Sequence, residues 1–279
     1  MDYSRFLTVD FDQESRTVVI TIDVEKDKHN SFGPDFVMAL KELLSYYEMN
    51  REVKALILTA AGDRVFSTGA DIRGHFPQLD PISAREFSHY GQQVFSLLAH
   101  APYITLAAIN GLALGGGLEI CLACDFRIAS KRARLGLPEI NLGLMPGWGG
   151  TQRLPRLIGY ERAAQMILSG EPIRAEKALE WGLVSSVVEP DELVDAARRF
   201  LAPLVEKSGD ALRVAKRAMV SGMEGTLSAG LVLENELFGL LWSSPDREEG
   251  VKADGRPRGG ELLRGRHFTE GTCGAGEYA

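Results

Sequence analysis

The stretch GLALGGGLE, Gly111 to Glu119, carried on by ICLACD to Asp125, decides how this chain is read. Three consecutive glycines, Gly115 to Gly117, strip a short length of backbone of its side chains. Such backbone can approach a ligand closely and aim its N–H groups at an anion. The residues LEICLACD read as a short helix, which puts the glycines at its positive N-terminal end and Glu119 on its first turn. An oxyanion hole with a carboxylate beside it suits chemistry that passes through an enolate or a tetrahedral adduct. A tight strand-to-helix turn whose glycines only relieve crowding would leave the same trace. The surrounding sequence therefore has to arbitrate.

Upstream, the apolar run KALILTA is followed by FSTGAD, Phe66 to Asp71, in which Gly69 and Ala70 are small enough to expose backbone N–H groups. Downstream, LGLPEINLGLMPGWGGTQRL, Leu135 to Leu154, holds a second carboxylate, Glu139, in a glycine-rich loop stiffened by Pro138 and Pro146. At these residues the chain closely resembles the enoyl-CoA hydratase/isomerase (crotonase) superfamily. The signatures of that family have the form F(S/C)AGADI, NGxAxGGGxE and PExxxGxxPGxGGTQRL. Here they read FSTGADI, NGLALGGGLE and PEINLGLMPGWGGTQRL, in the family's order and with its usual spacing between the two glutamates. The resemblance runs from about Phe6 to Ala253. It implies an α/β fold, a spiral of ββα turns, with C-terminal helices that build a trimer, commonly paired into a hexamer.

Composition is compatible with this. The chain has 279 residues, enough for an ample core, and its formal charge of −7 argues against a general nucleic-acid binder. That charge also means that any site for the phosphates of coenzyme A must be a local basic patch. No segment has the run of apolar residues needed to span a membrane, and MDYSRFLTVDFDQE lacks the basic and apolar pattern of a signal peptide. A cytoplasmic location is the expectation. Of the three cysteines, Cys121 and Cys124 form a CxxC, but no second pair of ligands completes a metal site. They are expected as buried helix cysteines.

Along the chain, TVVITI (Thr17 to Ile22), KALILT (Lys54 to Thr59), ITLAAIN (Ile104 to Asn110) and DFRIAS (Asp125 to Ser130) read as strands. Gly33-Pro34 opens an amphipathic helix with Phe36, Val37, Leu40, Leu43, Leu44 and Tyr47 on one face. A second helix is predicted from about Ser83 to His100. After Thr151 the pattern is nearly all helical: IRAEKALEWGLV, DELVDAARRFLAPLVEK, GDALRVAKRAMVSGM and LSAGLVLENELFGLLW each carry an apolar stripe. The last, with Leu231, Leu233, Leu237, Leu240, Leu241 and Trp242, has more apolar surface than a lone helix can hide, which points to a subunit interface or to packing on its own core. The expected organisation is a catalytic core over 1–200, a helical trimerisation region over 201–253, and a disordered Gly/Arg-rich tail over 254–279 with seven glycines, four arginines and no periodicity. The family usually continues after EGVKA with an AFLEKR-like helix, and its lysine for coenzyme A has no counterpart here.

Other chemistries fail on motif. There is no GxSxG elbow and no GxxxxGK[ST] loop; Gly147, Gly149 and Gly150 run into Thr151-Gln152 where a dinucleotide fingerprint needs its last glycine. The five histidines are scattered without ligand spacing. Paired carboxylates survive, and two glutamates at one water can orient it and exchange protons. Carried over by resemblance, Ala70 and Gly116 supply the oxyanion-hole N–H groups. Glu119 holds and polarises the water, and Glu139 shuttles the proton with Cα, a division that can be drawn differently. Gly69, Asp71, Ile72 and Gly115 shape the substrate site, Lys28 and Arg73 are candidates for coenzyme A, and Trp148 lines the acyl pocket. His75 and Phe76, with Trp148, lie where the acyl group would be distinguished. No metal or resident cofactor is implied, since coenzyme A arrives as part of the substrate. The expected activity is hydration of an α,β-unsaturated acyl-CoA. Isomerases often keep only the carboxylate at the Glu139 position, so Glu119 favours water chemistry. The alternatives are another reaction of the same superfamily, such as isomerisation, C–C hydrolysis or hydration of a dienoyl or cyclic thioester, and a non-catalytic scaffold or RNA-binding role.

Overall fold

The computed structural model describes residues 3–25 and 27–254, and the chain divides into two units, Met1–Leu201 and Ala202 onward. The first unit opens with an antiparallel pair, β1 (Leu7–Asp12) and β2 (Thr17–Ile22), followed by α1 (Pro34–Met49). Proline at the first turn of α1 costs no hydrogen bond there. The face read from the sequence is the one that packs: Phe36, Val37, Leu40, Leu43, Leu44 and Tyr47 are all buried.

Three repeats of the same unit follow. The first is β3 (Ala55–Ala60), β4 (Val65–Ser67) and α2 (Pro81–Ala99). The second is β5 (Ile104–Ile109), β6 (Leu112–Leu114) and α3 (Gly116–Leu122). The third is β7 (Phe126–Ser130), β8 (Arg134–Gly136) and α4 (Gly150–Ile158). Each repeat contributes its first strand to a six-stranded sheet and its second to a four-stranded one. The large sheet runs β1-β2-β3-β5-β7-β10, with β10 at Ser186–Val188; the small one runs β4-β6-β8-β9, with β9 at Ile173–Arg174. Apart from the β1–β2 and β8–β9 pairs, neighbours are parallel. This is the ββα spiral expected from the resemblance. Strands β3 and β5 are buried on both faces, which explains their continuous apolar sequence.

Two buried polar side chains tie this core together. Asn110 Nδ2 donates to the carbonyls of Ala60 and Gly62, tying the end of β5 to the end of β3. The buried Arg127 guanidinium donates to the carbonyls of Leu183 and Cys124 and neutralises the turn that leaves α3. Cys121 and Cys124 are buried; Cys124 lies in the turn after α3 rather than on it, because the helix stops at Leu122.

Boundaries differ locally from the sequence reading. The second strand of the large sheet's parallel part begins at Ala55, one residue later than predicted, and α2 starts at Pro81. Asp80 caps α2, its carboxylate accepting from the N–H groups of Ile82 and Ser83. IRAEKALEWGLV is not one helix: Ile173–Arg174 pairs with β8 as β9, and only α6 (Ala175–Glu180) is helical. Helix α5 (Tyr160–Ser169) follows α4, and the unit ends within α7 (Leu193–Val205).

The second unit comprises the end of α7, then α8 (Gly209–Gly222), α9 (Leu227–Leu241) and α10 (Pro245–Asp254). Helices α8 and α9 form a hairpin in which Gly230 approaches Gly222 closely. Along α9, Leu237 is buried, whereas Leu227, Leu231, Val232, Phe238 and Leu240 are exposed in the single chain, as is Trp242 after it. The tail expected to be disordered lies, beyond Asp254, outside the described residues. No described helix is long and apolar enough to cross a membrane.

Candidate active site

The small sheet explains why three motifs far apart in sequence meet. Strands β4, β6 and β8 are parallel neighbours, so their carboxyl ends lie on one edge. The segment from Thr68 to Asp71 leaves β4, the glycine run leaves β6, and Pro138-Glu139 leaves β8. Loops at the carboxyl ends of parallel strands are where such sheets build ligand crevices. A cavity of about 440 Å³ opens there. Its walls include Ala70, Ile72, Gly115, Gly116, Glu119 and Glu139, with Trp148.

Two residues of its wall, Ala70 and Gly116, each carry a backbone N–H. Phe32 N–H donates to the Gly69 carbonyl (2.7 Å) and Asp71 N–H to the Phe32 carbonyl (3.1 Å). The Gly69–Ala70 peptide is planar and trans, so the N–H of Ala70 points away from the Gly69 carbonyl and from Phe32. Gly116 is the first residue of α3, where N–H groups have no intrahelical acceptor. Neither amide donates to an acceptor among the described residues. The two strands of backbone lie close: a Cβ on Gly116 would come within 3.3 Å of Gly69 Cα and 2.6 Å of the Trp148 ring. Gly115 has φ +52°, and a Cβ there would meet Glu139 Oε1 at 3.1 Å. Both positions thus require glycine, one for its backbone angle and one for room.

Glu119 is 2% exposed, and its Oε1 accepts from the N–H groups of Trp148 and Gly150, each at 2.8 Å. Burial pushes its pKa up to about 7, helped by the nearby Glu139 charge; the two amides and Arg153 pull the other way. Glu139 stands on a 3-10 turn, Pro138–Leu142. Burial raises its pKa as well, and its Oε2 is enclosed with no hydrogen-bond partner among the described residues. An enclosed carboxyl oxygen without a donor is one that a bound water or substrate can satisfy.

Trp148 forms an apolar wall. Its ring lies edge-on to Phe87 (5.3 Å) and Phe95 (5.4 Å) and stacked over Phe32 (6.4 Å). The remaining lining is mostly apolar, including Phe76, Leu79, Leu142 and Met145. Several predicted residues stand outside the cavity. Gly69 is packed beneath it, against Gly116. Asp71 accepts from Gly74 N–H through Oδ1 (2.8 Å) and so shapes the turn. His75 packs on Phe87 at 4.7 Å rather than lining the space. Lys28 and Arg73 are exposed, each one residue from a segment that leads to the cavity: Arg73 follows Ile72, and Lys28 precedes His29, whose carbonyl accepts from Thr68 N–H. Phe87 and Ser88 on α2 line the cavity without having been read from the sequence. Ser88 lies 59 residues before Gly147, to whose carbonyl it donates, and only the face periodicity of α2 could have hinted at Phe87. Among the described residues no group of three or more His, Cys, Asp or Glu side chains is placed to hold a metal ion.

Comparison with known proteins shows the family. The family model described as enoyl-CoA hydratase/isomerase matches residues 13–256. The short-chain-enoyl-CoA hydratase of Clostridium acetobutylicum is 39% identical over 87% of this chain and 92% of its own length. The crotonyl-CoA hydratase of Syntrophomonas wolfei is 37% identical over the same shares. A crystal structure of an enoyl-CoA hydratase from Bacillus anthracis superposes with a TM-score of 0.83 at 35% identity, covering 89% of this chain and 95% of that one. With the motifs, the ββα spiral and the two glutamates at one cavity, the chain belongs to the enoyl-CoA hydratase/isomerase family.

Proposed function

We propose that this protein adds water across the double bond of an α,β-unsaturated acyl-CoA thioester. The observation that carries the reading is a pair of glutamates on one cavity, Glu119 buried and Glu139 half-buried, beside two unengaged backbone N–H groups. The thioester oxygen sits between the N–H groups of Ala70 and Gly116. Water held by Glu119 and Glu139 attacks Cβ, and the π electrons move to that oxygen as an enolate. Burial raises the pKa of both carboxyl groups, and the Glu139 charge raises that of Glu119 further, so one of the pair can hold a proton while the other is ionised. The carboxylate member takes the proton lost by the water, and the protonated member delivers one to Cα as the enolate collapses. Glu139, with its unpartnered Oε2, suits delivery to Cα, and Glu119, held through Oε1, keeps Oε2 for the water. Losing one oxyanion donor typically costs about 3 to 4 kcal/mol of barrier.

Trp148, Ile72 and Phe76 enclose the acyl chain, and exposed Lys28 and Arg73 meet the coenzyme A phosphates at the mouth. Gly69, Asp71 and Gly115 hold the two backbone segments in place. The exposed apolar residues of α9 support a trimer or a dimer of trimers. The test is steady-state hydration of a panel of enoyl-CoA thioesters by the wild type, Glu119→Gln, Glu139→Gln and the double variant. Each single change should lower kcat by orders of magnitude with small changes in thioester binding, and the double should be far from additive because both groups serve one step. A single variant that turns over at the wild-type rate would defeat the two-carboxylate mechanism. Conversion of an enoyl-CoA to its positional isomer without water uptake would favour the isomerase reading.

A further inference from the structure

Glu119 is held by two peptide groups, and each is anchored at its far end. A trans peptide is planar, with its C=O and N–H pointing in opposite directions, so whatever grips the oxygen also aims the hydrogen. In the peptide joining Gly149 and Gly150, the carbonyl accepts from the backbone N–H groups of Gln152 (3.0 Å) and Arg153 (2.8 Å), as the start of α4 requires. The peptide joining Gly147 and Trp148 has no such local partner. Its carbonyl accepts instead from two side chains of α2, Ser88 Oγ at 2.7 Å and Gln92 Nε2 at 2.8 Å. Its N–H is the one that donates to Glu119 Oε1 at 2.8 Å. Four residues further along α2, Ser96 Oγ accepts from Arg153, which also donates to the Trp148 carbonyl at 3.0 Å. Ser88, Gln92 and Ser96 recur at every fourth residue, so they form one polar stripe facing the loop.

We infer that Ser88 and Gln92 are positioning residues for Glu119, acting on it through the Gly147–Trp148 peptide. Two donors on the carbonyl fix the tilt of the peptide plane and polarise it, which strengthens the N–H bond to the carboxylate at the other end. Neither side chain touches the glutamate. The inference rests on Glu119 being the water-holding group of the proposed hydration. The charged groups facing Glu119 from neighbouring elements are Glu139, which disfavours its ionisation, and Arg153, which favours it. Both stay in place when Ser88 and Gln92 are changed.

The experiment compares Ser88→Ala, Gln92→Ala, the double variant and Ser88→Thr with the wild type, reading kcat, KM and the pH profile of kcat/KM on the best enoyl-CoA. The carbonyl keeps one donor in either single alanine variant, so those effects should be small and the double should exceed their product. The double should lose about tenfold in kcat, less than the roughly hundredfold for removing an oxyanion donor outright, with KM nearly unchanged. Its acid limb should move to higher pH, because a carboxylate that loses a polarised donor is harder to ionise. Ser88→Thr should restore the wild-type profile. A folded double variant with the wild-type kcat and acid limb would overturn the inference, whereas a wild type that hydrates no enoyl-CoA would overturn the proposed function instead. A second readout needs no turnover: the stability gained on Glu119→Gln at alkaline pH should be larger in the double-alanine background. Equal gains in both backgrounds would also overturn the inference. Gln92 is exposed, so Gln92→Ala leaves the fold intact. Combined with Ser88→Gly in place of Ser88→Ala, it gives a second double variant with the same expected outcome.

Discussion

Glu119→Gln is expected to stabilise the protein above neutral pH while disabling it. In the folded chain the carboxyl is 2% exposed and its pKa rises from an ordinary 4.5 to about 7, chiefly because burial disfavours the charge. The sign follows from linkage: a group whose folded pKa is raised binds its proton more tightly in the native state, so stability falls as pH rises from the unfolded value to the folded one. The penalty is absent below about pH 4.5 and complete above about pH 7. A rise from 4.5 to about 7, at about 1.4 kcal/mol per pH unit, corresponds to a cost on the order of 3 kcal/mol. Glutamine keeps an oxygen for the Trp148 and Gly150 amides but brings an NH₂ that needs an acceptor, so about 2 kcal/mol of gain should survive. The assay is urea unfolding of wild type and variant at pH 5 and pH 8 and at one fixed protein concentration, since assembly would otherwise enter the comparison. The variant should be close to the wild type at pH 5 and more stable at pH 8. A difference of the same size at both pH values would refute the reasoning, because it could not arise from the ionisation of this carboxyl.

Two further outcomes are expected. Gly116→Val puts a branched side chain where the Trp148 ring lies 2.6 Å from the position of a Cβ; turnover should fall at least 100-fold, the scale of losing an oxyanion donor, while free coenzyme A, which lacks the acyl carbonyl, binds as before in calorimetry, and full activity would remove Gly116 from the oxyanion hole. In sedimentation at micromolar concentration the protein should run as a trimer or hexamer, and Leu231→Glu with Phe238→Glu, both exposed on α9 in the single chain, should shift it toward monomer; a wild-type monomer would show that α9 is not an interface.

Much of this molecule was legible locally. The α1 face follows from the spacing of its apolar residues, and all six of those read from the sequence are buried. The continuous apolar runs of β3 and β5 announce strands covered on both sides. The glycine run announced a backbone that must approach something, and Glu119 and Glu139 were legible because their motifs are short and contiguous. What could not be read was everything set by contacts between distant segments. Motif and length do not say that β4, β6 and β8 are parallel neighbours, yet that pairing is what brings Ala70, Gly116 and Glu139 to one edge. IRAEKALEWGLV has a helical pattern, but pairing with β8 takes Ile173–Arg174 as strand, since tertiary hydrogen bonds outweigh weak local propensity. The grip on Glu119 spans 29 and 31 residues, and the grip of Ser88 on Gly147 spans 59. Serine and glutamine on a helix face carry no signature of such a task. The chemistry was therefore written in local sequence, where a few residue types in fixed order suffice, while the aiming of that chemistry was decided by packing, because a planar peptide can be oriented only by whatever the fold sets at its other end.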